Sequence, residues 1–315
     1  MINALLNPAL VVFISGIILG SIFKRITPSP VISKFLGYYL LLGLGLKGGY
    51  SLQETGFIPE VVNILSLGVF FALLIPFASY LYLKNILNPD DAAALSGTYG
   101  SVSAVTFVTA NTYLVASAQS FDNYMSAVLV VMEFPAIFMA LFLVSQNSKD
   151  ANNGQIENLK KAFFEIPNIV LVVSLIVGYF LTIQDERFFS LVSEDTFEYV
   201  LIIFLFVMGL RVSKRMSELS GKGSQLIAFA LITPIVGSLL ALAFSYYFDL
   251  GVGNATLLMV LTASASYIAV PAVVKDAIPN ANPAIYLGLS LGVTFPFNVI
   301  FGIPLYNQLA LFVLN

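Results

Sequence analysis

The chain has 315 residues, of which 58% are hydrophobic and only 10% charged, and its mean hydropathy is +0.92. That composition does not suit a water-soluble globule and points to lipid. The 14 Lys and Arg against 17 Asp and Glu give a net charge of -3, which leaves no basic surplus for nucleic acid. With no His, Cys or Trp, disulfide scaffolds, Cys/His zinc sites, Ser-His-Asp and Cys-His catalysis and histidine proton relays are all excluded. A polytopic membrane protein that works with hydroxyls, carboxylates, backbone groups and bound ions remains.

A transmembrane helix needs roughly 20 mostly apolar residues. Ten apolar runs, punctuated by charge or by Pro and Gly, fall at 7–23, 33–50, 58–83, 91–114, 122–145, 163–183, 196–211, 223–248, 252–275 and 283–313. The first lacks a charged residue before its apolar core, and Lys24-Arg25 follow it where a small-residue cleavage site would belong, so it is expected to be a retained helix. With the N-terminus outside, the cytoplasmic side collects Lys24, Arg25, Lys34, Lys84, Lys149, Lys160, Lys161, Arg211, Lys214, Arg215, Lys222 and Lys275, while Lys47 and Arg187 lie outside. That bias predicts both termini outside.

The polar stretch Ser145 to Lys161 reads as a solvated linker near the middle of the chain. Faint echoes flank it in the same order. Pro8 with Ser15 matches Pro167 with Ser174, and Gly45-Leu46-Lys47 matches Gly209-Leu210-Arg211. Further on, Ser101 and Ser103 match Ser264 and Ser266, and Glu133-Phe134-Pro135 matches Thr294-Phe295-Pro296. Collinear echoes at a nearly constant offset argue for duplication. Because five helices per copy is an odd number, the second copy enters the membrane from the opposite side. The expected fold is all-α, ten transmembrane helices in two inverted five-helix repeats, residues 1–145 and 163–315, joined by a cytoplasmic linker at 146–162.

The fourth helix concentrates Ser96, Gly97, Thr98, Tyr99, Gly100, Ser101, Ser103 and Thr106, and the ninth carries Thr262, Ser264, Ser266, Tyr267 and Pro271. Small and hydroxylic residues with Gly or Pro at bilayer depth weaken the helical ladder, and irregular backbone there is tolerated only where it is buried or lines a cavity. Two discontinuous helices crossing near the midplane present helix N-termini to a small anion, and carbonyl ends and hydroxyl oxygens to Na⁺. Taken singly, each hydroxyl is explained more readily by close helix packing. Recurrence at matched positions favours a site, with Ser103, Thr106, Ser264 and Ser266 foremost.

Glu133, inside the fifth apolar run, has no basic residue near it in sequence. An intramembrane carboxylate marks an ion path by default; the alternative is a structural group paired with Lys47 or Lys275, or kept protonated. Thr294 is its mate across the repeat, and Asn298 lies one turn further on. Glu133, Thr294 and Asn298 are therefore the expected Na⁺ ligands. Lys47 and Arg211 are expected to be snorkelling anchors at helix ends.

These residues resemble the sodium-dependent bicarbonate transporter family of carbon-concentrating photosynthetic bacteria. The likeness runs over essentially the whole chain. It is carried by Leu42 to Gly49, by Gly100 with Ser103 and Thr106, by Glu133-Phe134-Pro135, where the family tends to have aspartate, and by Ala277 to Ala284 followed by Tyr286-Leu287-Gly288. The resemblance implies a sodium/bicarbonate symporter of two inverted repeats, with the anion at the crossing of the fourth and ninth helices. It also implies a homotrimer, a small PII-like regulatory protein on the cytoplasmic face and a bacterial plasma-membrane location. Two departures stand out. Gly100-Ser101-Val102-Ser103-Ala104-Val105-Thr106 lacks a glycine and a serine of the family's Gly-x-x-Ser-Gly-Ser-Thr, and in Ser264 to Pro271 the family's aspartate has become Tyr267.

The expected function is Na⁺-coupled import of a small monovalent anion, bicarbonate first, by alternating access. The anion set is Gly100, Ser101, Ser103, Thr106, Ser264, Ser266 and Tyr267. A small organic acid on the same fold is the alternative, motivated by Tyr267 and the missing glycine. A channel is disfavoured by the lack of a ring-forming charged or Thr-Val-Gly-Tyr-Gly-type filter, and an enzyme by the lack of His, Cys and paired catalytic carboxylates.

Overall fold

The computed structural model describes residues 8–23, 28–145, 166–180, 194–218 and 223–314, and within them the regular structure is helical. The helices are α1 (Pro8–Ile22), α2 (Pro30–Thr55), α3 (Pro59–Leu83), α4 (Pro89–Gly100), α5 (Ala104–Ala116), α6 (Met125–Ser145), α7 (Ile166–Phe180), α8 (Glu194–Glu218), α9 (Ser224–Tyr247), α10 (Val252–Ala263) and α11 (Ala269–Ala277). The last is α12 (Pro283–Leu314), in which Ser290–Thr294 and Asn298–Gly302 widen into π turns. The expected linker, together with Lys24, Arg25, Lys149, Lys160, Lys161, Arg187 and Lys222, lies outside the described residues.

Proline at the first turn opens α2, α3, α4 and α12, where its missing N–H costs nothing and its φ is already helical. Five of the described segments are by themselves long and apolar enough to cross a membrane: Pro59–Leu83, Met125–Leu143, Thr196–Lys214, Ser224–Tyr247 and Pro283–Leu314. The fourth and ninth apolar runs are each divided, into α4 with α5 and α10 with α11, so that each half is too short to span alone. The core is apolar, but the outer face is apolar as well, unlike that of a water-soluble protein. Phe70, Phe77, Ile232, Val236, Phe301 and Phe312 point outward, while Ser96, Thr98, Glu133, Thr256 and Asn298 are buried. With lipid as solvent, apolar side chains have no need to leave the surface, and polar groups are kept within, among the apolar core.

Two crossed contacts join the halves of the chain: α7 packs along α2, and α1 packs along α8. Both are built from small residues four apart. A Cβ added at Gly45 would strike Ser174 Oγ, one at Gly49 the Leu175 carbonyl, and one at Gly178 the Leu46 carbonyl. On the other side, Gly16 meets the Phe206 carbonyl, Gly20 meets Ser213 Oγ, and Gly209 meets the Phe13 carbonyl. Backbones approach this closely only where side chains are absent. Lys47 and Arg211, expected at helix ends, lie well inside α2 and α8, which run past the 33–50 and 196–211 runs to Thr55 and Glu218. The Lys47 ammonium is 5.4 Å from the centre of the Phe197 ring on α8, a cation–π contact that lets a charge stay within the helix.

Two polar latches close the ends of the divided helices. Asp91, in the first turn of α4, accepts from the backbone N–H of Asn282 at 2.6 Å and from Asn88 Nδ2 at 2.7 Å. Asn254, in the first turn of α10, accepts from the Asp122 N–H at 2.9 Å and donates to Asp122 Oδ2 at 2.7 Å and to Tyr124 at 3.1 Å. Asp91 and Asn254 are each the third residue of their helix, and each holds the loop that leads into the last long helix of the other half. The acid and the amide have traded places. Tyr124 in turn donates to Glu60 at 3.1 Å. Burial and the Asp122 and Glu60 carboxylates hold its phenol above the ordinary value, which keeps it a donor.

Candidate functional site

The breaks in the two divided helices meet. α4 stops because Ser101 turns to extended backbone (φ -91, ψ 172), and α10 stops the same way at Ser264 (φ -86, ψ 167). The Ser103 N–H donates to Ser264 Oγ at 2.9 Å, and the Ser266 N–H donates to the Thr98 carbonyl at 2.8 Å. Each extended strand therefore hydrogen-bonds to the other helix, and backbone groups freed by the breaks find partners at bilayer depth.

The serines do a second task by capping the helices that restart. Ser103 Oγ accepts from the Thr106 N–H at 3.2 Å and from the Thr106 hydroxyl at 2.9 Å, and Ser266 Oγ accepts from the Val270 N–H at 3.2 Å. Ser264 donates to the Leu261 carbonyl at 2.9 Å. A helix leaves its first N–H groups without intrahelical partners; at α5 those of Ala104 and Val105 find none among the described residues. Gly100 serves packing, since a Cβ there would run into the Pro76 ring of α3.

Beside the crossing lies a cavity of about 20 Å³, lined by Ser103, Ala104, Glu133, Asn168, Ser266 and Tyr267 among others, with Leu41 and Leu171 as apolar wall. Its volume is that of about one water. Glu133 is buried on α6 and accepts from the Ser101 hydroxyl at 2.5 Å. Among the described residues it has no ion-pair partner, and its Oε1 accepts no hydrogen bond. The two candidate cations are elsewhere: Lys47 rests on Phe197 and Lys275 is exposed.

Tyr267 is 8% exposed, and its hydroxyl, though buried, has no hydrogen-bond partner among the described residues. Ser103 stands near without the geometry of a bond, and the Arg211 guanidinium lies within electrostatic range. The ring is fixed edge-on against Phe295, 5.3 Å between centroids. A buried donor left unmade is costly, and such groups are kept where a ligand supplies the acceptor.

Ser101, Ser103, Ser266, Tyr267 and Glu133 thus converge on one place, with Thr106 and Ser264 one hydrogen bond behind. Thr294 and Asn298 have different partners and are absent from the cavity lining. The Thr294 hydroxyl donates to the Ala230 carbonyl at 2.8 Å, so Tyr99 is the donor in their 2.5 Å contact. Asn298 Nδ2 donates to the Ala263 carbonyl at 2.7 Å, and its Oδ1 accepts from Tyr306 at 2.9 Å. Sequence reasoning misses Tyr99 as a partner of Thr294, and it misses Asn168, whose signal is a lone amide beside Pro167 at the start of an otherwise apolar helix.

A comparison with curated proteins finds no match to the chain. From residue 8 to residue 311, across both divided helices and the cavity between them, the sequence matches the Na⁺-dependent bicarbonate transporter superfamily, and the protein belongs to that family.

Proposed function

We propose that the protein imports bicarbonate with Na⁺ by alternating access, through ten membrane spans arranged as two inverted repeats, residues 1–145 and 163–315, on either side of a cytoplasmic linker at 146–162. The observation that carries this reading is the crossing of two interrupted helices, with an unpaired carboxylate and an unpartnered phenol facing one cavity. Na⁺ sits at Glu133 with the Ser101 hydroxyl and the carbonyl end of α4, where carboxylate charge and helix C-terminal dipole both favour a cation. The anion sits toward the N-terminus of α5, taking hydrogen bonds from the Ala104 and Val105 amides and the Tyr267 hydroxyl, with Ser103, Thr106, Ser264 and Ser266 holding that backbone in place. Cation and anion together approach neutrality, which lowers the cost of carrying either through a low-dielectric interior.

Because the cavity holds only about one water's volume, loading bicarbonate requires the walls to part. That need for movement fits a carrier better than an open pore. In this reading the membrane is a bacterial plasma membrane and both termini lie outside it, an orientation that the Lys and Arg distribution favours. Purified protein in liposomes should take up labelled bicarbonate when an inward Na⁺ gradient is imposed, and no uptake with or without Na⁺, in either orientation, would sink the reading. A second cargo, a small organic acid, is favoured by one observation: the cavity pairs its phenol with the apolar Leu41 and Leu171. Competition by acetate or pyruvate against labelled bicarbonate separates the two.

A further inference from the structure

Resting on that reading, we infer that each transport cycle moves a single Na⁺ with a single anion and is electroneutral, because the counterpart of the Glu133 site in the second half is closed by its own hydrogen bonds. The proposed duplication pairs Glu133 with Thr294, and the end of α4 with the end of α10, where Ala263 is the last residue. In the first half the carboxylate has one oxygen taken by Ser101 and the other free for a cation. In the second half the oxygens at the corresponding place are each hydrogen-bonded. The Ala263 carbonyl accepts from Asn298 Nδ2, the Asn298 Oδ1 accepts from Tyr306, and the Thr294 hydroxyl is held between Tyr99 and the Ala230 carbonyl.

Charge and position make the closure stronger than occupancy alone. The Asn298 amino group brings partly positive hydrogens to the helix end where a cation would have to sit, so it acts as a tethered substitute for the ion. All these groups are neutral, and the phenol of Tyr267 brings no charge to the same neighbourhood. A hard cation needs several oxygen lone pairs at once, and here each would have to be released from a bond made in a low-dielectric interior. Thr294 ends the first and Asn298 begins the second of the two π turns of α12, Ser290–Thr294 and Asn298–Gly302.

The test is made on liposomes carrying the full chain, with the membrane potential clamped by potassium and valinomycin. One Na⁺ per bicarbonate predicts equal accumulation at zero potential and with the interior negative, a Hill coefficient of 1 for Na⁺, and one Na⁺ bound per chain in calorimetric titration of the detergent-purified protein against choline. A second Na⁺ would carry one net charge, and an interior-negative potential of about 100 mV would then raise accumulation roughly 50-fold. That rise, or two Na⁺ per chain in the titration, overturns the inference. Absence of any Na⁺-stimulated uptake overturns the transport reading instead, and the calorimetric count then decides the single-cation assignment alone. The variant Tyr267→Asp, which adds a carboxylate to the second half, is expected to make transport sensitive to potential; wild-type data suffice if it does not fold.

Discussion

Replacing Tyr267 by phenylalanine is expected to stabilise the empty protein and weaken the cargo complex, two effects of opposite sign from the loss of one hydroxyl. The ring contact with Phe295 and the buried position are kept, and only the hydroxyl goes. In the cargo-free state that hydroxyl is buried without a partner. Its removal therefore relieves a desolvation penalty of about 1–3 kcal/mol. With the anion bound, the same hydroxyl makes a charge-assisted hydrogen bond worth about 1.5–3 kcal/mol, so its loss should raise the KM for bicarbonate about 10- to 100-fold. Thermal unfolding in detergent, with and without bicarbonate, reads the first effect, and initial uptake rates across bicarbonate concentrations read the second. A lower melting temperature would mean that the hydroxyl has a structural partner. An unchanged KM would mean that it does not touch the cargo. Either result refutes the assignment.

Glu133→Gln keeps an acceptor for Ser101 and removes the charge, so Na⁺ stimulation of uptake should vanish while the melting temperature without Na⁺ holds or rises; retained Na⁺ dependence would remove Glu133 from the cation site. Gly45→Leu forces a side chain into Ser174 and the Leu171 carbonyl across the α2/α7 contact, and should cost about 1–3 kcal/mol or more in thermal or denaturant stability, whereas Gly251→Ala, where a Cβ meets nothing among the described residues, should cost clearly less. Asp91→Ala strands the Asn282 N–H and one donor of Asn88, at about 1–3 kcal/mol. Asp122→Ala should cost a similar amount at the other latch. Because the two latches share no partner, their double variant should be additive within about 0.5 kcal/mol by unfolding in denaturant.

The density of Gly, Ser and Thr in two otherwise apolar runs is enough to locate both interruptions, since a cluster of hydroxyls and glycines at bilayer depth weakens a helix just where lipid gives the backbone no partner. Which oxygens meet is harder to read. Ser101 and Glu133 are 32 residues apart and Ser103 and Ser264 are 161 apart; the pattern marks each of the four as out of place in lipid, but it assigns Ser101 and Glu133 to different ligands and does not pair them. Thr294 and Asn298 are grouped with Glu133 by duplication alone. Their hydrogen bonds are decided instead by Tyr99, Ala230, Ala263 and Tyr306, which leave no mark on the local pattern. The crossed helix contacts have a signature too: Gly16 with Gly20, Gly45 with Gly49, Ser174 with Gly178 and Gly209 with Ser213, each pair at one-turn spacing. It is a weak one because, without a partner helix in view, glycine in an apolar run looks like any small residue.

The exchange of partners between halves also bears on how the chain is made. α1 and α2 are synthesised before α7 and α8, yet it is α8 and α7, more than a hundred residues later, that complete their glycine faces. During synthesis the first half therefore waits in the bilayer with two narrow faces open to lipid, able to pack its long helices but not to fasten them. If the halves were expressed as separate polypeptides, neither should be stable alone, and the two should find one another in the membrane through these faces. Insertion and fastening are distinct stages for this protein, and the second cannot begin until α7 and α8 have emerged.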